Sequence, residues 1–233
     1  MKTIAIMQPY FLPYIGYFQL LAAVDKFVVL DDVNYINRGW VNRNRLLLNG
    51  VAHSFTVPLC GASQNKLICD IELVSEQNWR TKLMRTVRQA YEQAPCYVRM
   101  SALMERLVNY SSVRLDEFLL NSIREIISCL SLEVEIVSTS RVYQNKHLKG
   151  QERILDICRQ ERADVYINPI GGEGLYDRAG FLEQGVQLKF LRTRPVSYPQ
   201  GKGEHIPWLS ILDVLMFNEP FAVRQLLAEM DLV

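Results

Sequence analysis

The chain has 233 residues, 49% of them hydrophobic and 22% charged, which is long enough to bury a core and too apolar for a disordered linker. Its 26 Lys and Arg nearly balance 25 Asp and Glu, and a formal net charge of +1 gives no support for general nucleic-acid affinity. Five scattered cysteines without a C-x-x-C pair argue against a disulfide framework or a zinc site, and make the cytoplasm the expected compartment.

Met1 to Met7 is soon interrupted by Gln8 and Pro9, so it reads as neither a signal peptide nor a spanning helix, and no membrane association is expected. Thr3 to Met7 predicts a short buried strand, the prolines at 9 and 13 force a turn, and the apolar run Ile15 to Val24 predicts a helix. Phe27 to Leu30 predicts a second buried strand. Strand, helix and strand at this spacing form a βαβ unit with parallel strands and a right-handed crossover. Leu46 to Leu48, Asn49-Gly50 and Val51 to Leu59 read as a hairpin that extends or caps the sheet. Helical spacing recurs from Trp79 to Tyr91 and from Leu115 to Ile127, which predicts two or three helices in an insertion over about 79–130. The basic residues Arg80, Lys82, Arg85 and Arg88 on the first of them read as a solvated face.

From Glu133 the α/β rhythm returns. Val134 to Val137, Asp164 to Asn168 and Val186 to Leu191 predict strands, and Gln151 to Glu161 a helix. Ser210 to Phe217 and Glu219 to Met230 predict two more helices. The expected fold is a single α/β domain over residues 1–233 with a mostly parallel sheet and a mid-chain helical insertion.

In open α/β sheets ligands sit beyond the carboxyl ends of the strands, which places the loops starting at Gln8, Asp31, Ser138 and Asn168 on one rim. Gln8, Tyr14, Gly16 and Tyr17 surround the start of the first helix, whose free amides and dipole suit an anion. This strand-turn-helix resembles that of nucleotidylyltransferase-like Rossmann proteins, whose H-x-G-H motif cradles a nucleotide phosphate. Tyr14-Ile15-Gly16-Tyr17 stands in that place without the histidines, so the resemblance implies a Rossmann-like sheet and phosphate binding rather than nucleotidyl transfer. Asp31-Asp32 is followed by Arg38, Trp40 and Asn42-Arg43-Asn44-Arg45. Arginine forks match phosphates, asparagines complement sugar hydroxyls and Trp40 offers a stacking face, so the run suits a nucleotide or a nucleotide-linked sugar.

Ser138, in Ser138-Thr139-Ser140-Arg141, is similar to the second phosphate contact of nucleotidylyltransferase-like folds. Gly171 and Gly172 permit close backbone approach to a ligand, although no Gly-Lys-Ser/Thr completes a Walker A loop. His205, in a Gly-Lys-Gly-Glu-His loop, is a candidate base at neutral pH, and Asp213 in the following helix either orients it or serves the helix N-terminus. His53 and His147 read as solvated, and the three histidines carry no metal-ligand spacing.

Met7 to Phe18, Leu30-Asp31-Asp32-Val33, Asn42 to Arg45 and Leu209 to Met216 together resemble the WbqC-like family. The resemblance extends to Trp79 to Pro95, Arg153 to Asn168 and Gly171-Gly172 with Tyr176; His205 departs from it, standing where an aromatic residue is expected. It implies a bacterial protein of O-antigen or other surface-polysaccharide biosynthesis, with acyl or aminoacyl (possibly glycyl) transfer to an amino sugar as the expected chemistry. In that reading Arg43, Arg45 and the first helix hold the diphosphate, and Asn42, Asn44, Asp31 and Asp32 hold the sugar. His205, Asp31 or Asp213 is the base. An activated donor is then required, a thioester, an aminoacyl-tRNA or an ATP-activated acid, and the oligomeric state, a homo-oligomer among the alternatives, stays open. The competing expectation is a non-catalytic nucleotide-sugar-binding or scaffold protein of the same pathway.

Overall fold

The computed structural model describes residues 1–76 and 78–233. Thr3–Met7 (β1) leads through Ile15–Ala22 (α1) to Lys26–Val29 (β2), and the two strands pair in parallel from Ile4 with Lys26 to Met7 with Val29. Next come Arg43–Leu48 (β3) and Val51–Thr56 (β4), joined by Asn49 and Gly50 at φ 52° and 76°. Both turn residues are left-handed, the geometry that Asn-Gly favours and that matches the twist of a tight hairpin. The hairpin does not extend the main sheet: it forms its own two-stranded sheet, as do Leu59–Cys60 (β5) and Glu72–Leu73 (β6).

Three amphipathic helices follow, Asn78–Tyr91 (α2), Tyr97–Val108 (α3) and Leu115–Leu130 (α4). Their buried faces carry Leu83, Val87, Met104, Leu107, Phe118 and Ile123 into one cluster with α1 and with Phe27 of β2, so their helicity is secured by packing rather than by propensity alone. The chain then returns to the sheet with Glu135–Val137 (β7), Gly150–Glu161 (α5), Val165–Pro169 (β8), Arg178–Glu183 (α6) and Gln187–Thr193 (β9). Ile211–Phe217 (α7), Pro220–Leu227 (α8) and Met230–Leu232 (β10) complete it. The helix expected over Glu219 to Met230 therefore ends early. Glu219 precedes Pro220, whose fixed φ starts the helix, and the last residues pair antiparallel with β9 as an edge strand.

The six-stranded sheet has the order β10-β9-β8-β1-β2-β7, parallel except for β10. Strand side chains alternate between faces. Ala5, Phe27, Val29, Val165 and Ile167 face the cluster built with α1, α4, α7 and α8, whereas Ile4, Ile6, Val28, Tyr166 and Phe190 face Ile154, Ile157 and Phe181 of α5 and α6. The chain leaves β1 first toward β2 and β7, and later returns to its other side as β8 and β9. The order thus reverses between β1 and β8, which opens a crevice at their carboxyl ends. No described helix is long and apolar enough to cross a membrane.

Candidate functional site

A cavity of about 410 Å³ occupies that crevice. Tyr10, Pro13 and Tyr14 reach it from the loop after β1, Pro169, Ile170 and Gly171 from the end of β8, and Leu191, Arg192 and Thr193 from the end of β9. Trp40, Asn44, Arg45 and Trp208 close the far wall. Among the described residues its lining has two guanidinium groups and no carboxylate, so an anionic ligand is favoured.

The alternation of β3 explains why Arg45 faces the cavity rim. Asn44 and Leu46 turn inward, 4% and 0% exposed, and leave Arg43 and Arg45 together on the outer face. Both guanidinium carbons lie over the Trp40 ring, at 5.3 and 5.6 Å from its centroid, which fixes the tryptophan as an aromatic wall beside positive charge. Arg45 spends Nη2 on the Trp208 carbonyl at 3.2 Å, while its Nε is buried without a partner. Thr193 Oγ1 is likewise buried and unpartnered. Both residues border the cavity, but these two atoms are themselves closed off from it, and Thr193 Oγ1 lies over Gly16.

The two asparagines do a different job from the one expected of them. Asn42 accepts from the Tyr35 hydroxyl and donates to the Val57 carbonyl, at 2.8 and 2.7 Å. Asn44 donates to the Leu12 carbonyl at 2.7 Å and accepts from the Arg45 amide at 2.8 Å. Their carboxamides tie β3 to neighbouring loops, and only Asn44 also borders the cavity.

Gly16 lies beneath the wall: a Cβ there would collide with the Tyr14 ring and with Thr193 Oγ1. Its role is to let those two cavity residues meet over the first turn of α1. Tyr17 is buried and donates to the Gln8 carbonyl at 3.0 Å, and the Gln8 side chain accepts from Tyr10 at 3.3 Å. Neither Gln8 nor Tyr17 lines the cavity. Burial, with the neighbouring Tyr14, pushes the Tyr10 hydroxyl up to about 12, so at neutral pH it is a hydrogen-bond donor and not a base.

The remaining expected residues gather elsewhere. Asp31 and Asp32, at the end of β2, are 0% and 5% exposed. Asp31 accepts from Thr139 and from the Ser140 amide at 2.8 and 3.1 Å, with the Arg141 guanidinium 3.1 Å from its second oxygen. Burial nevertheless dominates and holds its pKa above the usual carboxylate value. Asp32 is paired with Arg153. Ser138 accepts from Arg124 at 2.7 Å instead of facing a ligand, and Arg38 is exposed at φ 60°, outside the cavity lining. Gly171 borders the cavity, whereas Gly172 packs on the Asn168 carboxamide, which a Cβ there would strike.

Asp213 is wholly buried and accepts from Tyr91, Tyr198 and Gln200 at 2.9, 2.7 and 2.7 Å. Burial raises its pKa against those hydrogen bonds and the nearby His205. His205 does not bond to it: the imidazole Nδ1 donates to the Tyr198 carbonyl at 3.2 Å and packs edge-on against the Tyr198 ring. It borders a small separate hollow, with Trp208 standing between that hollow and the main cavity. Of the seventeen side chains and glycines expected at a site, the cavity thus brings together Tyr14, Trp40, Asn44, Arg45 and Gly171. Arg192 and Thr193 were missed, although the strand-end rule that selected Gln8 and Asn168 applies equally to the end of β9, whereas Trp208, in the loop before α7, has no such signal.

The model of the WbqC-like protein family matches residues 8–225. The chain belongs to the WbqC-like family. Every cavity residue falls within the matched span, which therefore takes in the whole WbqC-like crevice. Rv1507c, an uncharacterized protein of Mycobacterium tuberculosis, is 28% identical over 226 residues, covering 94% of each chain. No solved structure matches this WbqC-like chain.

Proposed function

We propose that the crevice binds a nucleotide-linked amino sugar and that the protein serves surface-polysaccharide (O-antigen) biosynthesis on a Rossmann-like sheet. One observation carries the binding reading: Arg45 and Arg192 border a cavity walled by Trp40, Trp208, Tyr10 and Tyr14, with no acidic group in its lining among the described residues. Guanidinium groups pair with phosphate oxygens, and aromatic faces stack on a base or a sugar ring. The strand order, which reverses beside the cavity, is the usual position for a nucleotide in an open parallel sheet. The link to polysaccharide synthesis comes from the family resemblance.

Acyl or aminoacyl transfer to the sugar amine requires a base within reach of that amine. His205, Asp31 and Asp213 do not border the cavity, and Tyr10 holds its proton. The geometry therefore supports nucleotide-sugar binding more strongly than transfer. Titration with nucleotide-linked amino sugars, read by the fluorescence of Trp40 and Trp208, tests this. Micromolar binding is expected, weakened about tenfold or more by Arg45→Ala or Arg192→Ala. No response to any nucleotide-linked sugar overturns the reading. Mass analysis of sugar recovered after incubation with thioester, aminoacyl-tRNA or ATP-activated donors separates a transferase from a binder.

A further inference from the structure

A further hollow, of about 420 Å³, lies between the loop after β2 and the loop after β5, outside the crevice. Asn34, Asn37, Gln64 and Asn65 line it together with Tyr35 and Ile36. We infer that this hollow binds a neutral saccharide. The inference does not depend on what the crevice binds.

Four exposed carboxamides converge here, and among the described residues none is engaged by another group of the chain. A carboxamide presents a donor and an acceptor side by side, which is the complement of a pair of adjacent sugar hydroxyls. Ile36 is 53% exposed and offers an apolar contact for the C–H face of a pyranose ring. Among the described residues the lining contains no charged side chain, so an ionic ligand has no partner to offset its desolvation.

The frame under these amides is fixed by the backbone. Tyr35 N donates to the Lys66 carbonyl at 2.9 Å, Ile68 N to the Val33 carbonyl at 3.0 Å, and Asn34 forms an antiparallel bridge with Leu67. Tyr35 itself is anchored through its hydroxyl to Asn42. The two loops are zipped together, so their backbones are placed in advance and binding has only the side-chain rotamers of the carboxamides left to order.

The test is an NMR titration following the side-chain NH₂ signals of Asn34, Asn37, Gln64 and Asn65. Glucose, galactose, N-acetylglucosamine and maltose are the probes, with glucuronate and uridine monophosphate as charged controls. The expected result is a saturable shift of these signals by at least one neutral sugar at millimolar concentration. Asn37→Asp and Gln64→Glu should each weaken that response at least about fivefold, the cost of one mispaired hydrogen bond, with Tm unchanged. Absence of any saturable shift overturns the inference. So does a response confined to the Trp40 and Trp208 indoles, or an equal response to glucuronate. Loss of nucleotide binding in Arg45→Ala with the sugar response intact would show that the two sites stand or fall separately.

Discussion

Arg153, in α5, reaches both carboxylate oxygens of Asp32 at the end of β2, at 2.6 and 2.7 Å, with the two side chains only 7% and 4% exposed. Ser140 also donates to Asp32, and Arg153 Nε donates to Asn145 at 3.0 Å, so the pair sits within a satisfied polar network. The aspartate pair, which in the sequence reads either as a ligand site or as salt-bridging its neighbours, is thus held by the protein itself. Removing one partner strands a buried charge, at a cost of about 3–5 kcal/mol. Asp32→Ala and Arg153→Ala should each lower stability by that order in denaturant melts. A fully folded Asp32→Ala protein that loses only nucleotide-sugar binding would contradict this assignment.

Asp213 invites a similar experiment with a different outcome in view. Its carboxylate is the acceptor for two tyrosine hydroxyls and for Gln200, whose amide also bonds to the Ile206 backbone at both its oxygen and its nitrogen. The residue therefore pins the loop that carries His205 and leads to Trp208. Asp213→Asn turns an NH₂ donor toward existing donors and should cost about 1–3 kcal/mol. The His205→Ala variant, by contrast, should keep its unfolding free energy within about 0.5 kcal/mol of the parent, because the imidazole makes one backbone bond near the surface. Equal, large losses of a transferase activity in both variants, with stability intact, would restore the catalytic reading.

Local patterns made the frame legible. The βαβ start, the Asn49-Gly50 hairpin and the amphipathic helices all depend on short-range periodicity, and their boundaries fall within a few residues of expectation. Residues 230–232 form a strand too short to carry a period of its own, and it exists because β9 offers an edge to pair with. The cavity was only half legible for a related reason. Asn42 and Asn44 read as ligand groups because they are polar, but the pleat of β3 turns Asn44 inward, and both asparagines satisfy buried backbone groups. Trp208 joins Arg45 through its backbone carbonyl, a contact far apart in sequence that no local window reports.

Glu161 makes one contribution to stability that depends on pH in the acid range. Burial opposes its charge, but hydrogen bonds from Lys2, Lys26 and Tyr143 outweigh that and hold its pKa at about 2, against an ordinary 4.5. A depressed carboxylate pKa stabilises the folded state above the unfolded value, and the contribution is lost as pH falls through the folded value. The window is therefore pH 4.5 down to about 2. After allowance for solvent screening the effect is about 1–2 kcal/mol. Glu161→Gln should be less stable than the parent by that amount at neutral pH, and the gap should close as the melts are taken toward pH 2. A gap independent of pH would mean that packing, not charge, is responsible.

Trp208 stands at φ 60°, a left-handed conformation that costs a bulky residue about 1–2 kcal/mol. It is 47% exposed, its carbonyl receives Arg45, and its ring meets Tyr14 edge-on at 6.0 Å. Burial of the ring does not account for holding a tryptophan in this backbone state, whereas a role as cavity wall does. Asparagine tolerates the same φ and keeps the backbone carbonyl for Arg45. Trp208→Asn should therefore leave stability unchanged or raise it by up to about 1 kcal/mol, while nucleotide-sugar affinity falls about tenfold through the lost stacking face. Opposite signs for the two measurements distinguish a ligand-facing tryptophan from a structural one, for which stability and binding would decline together.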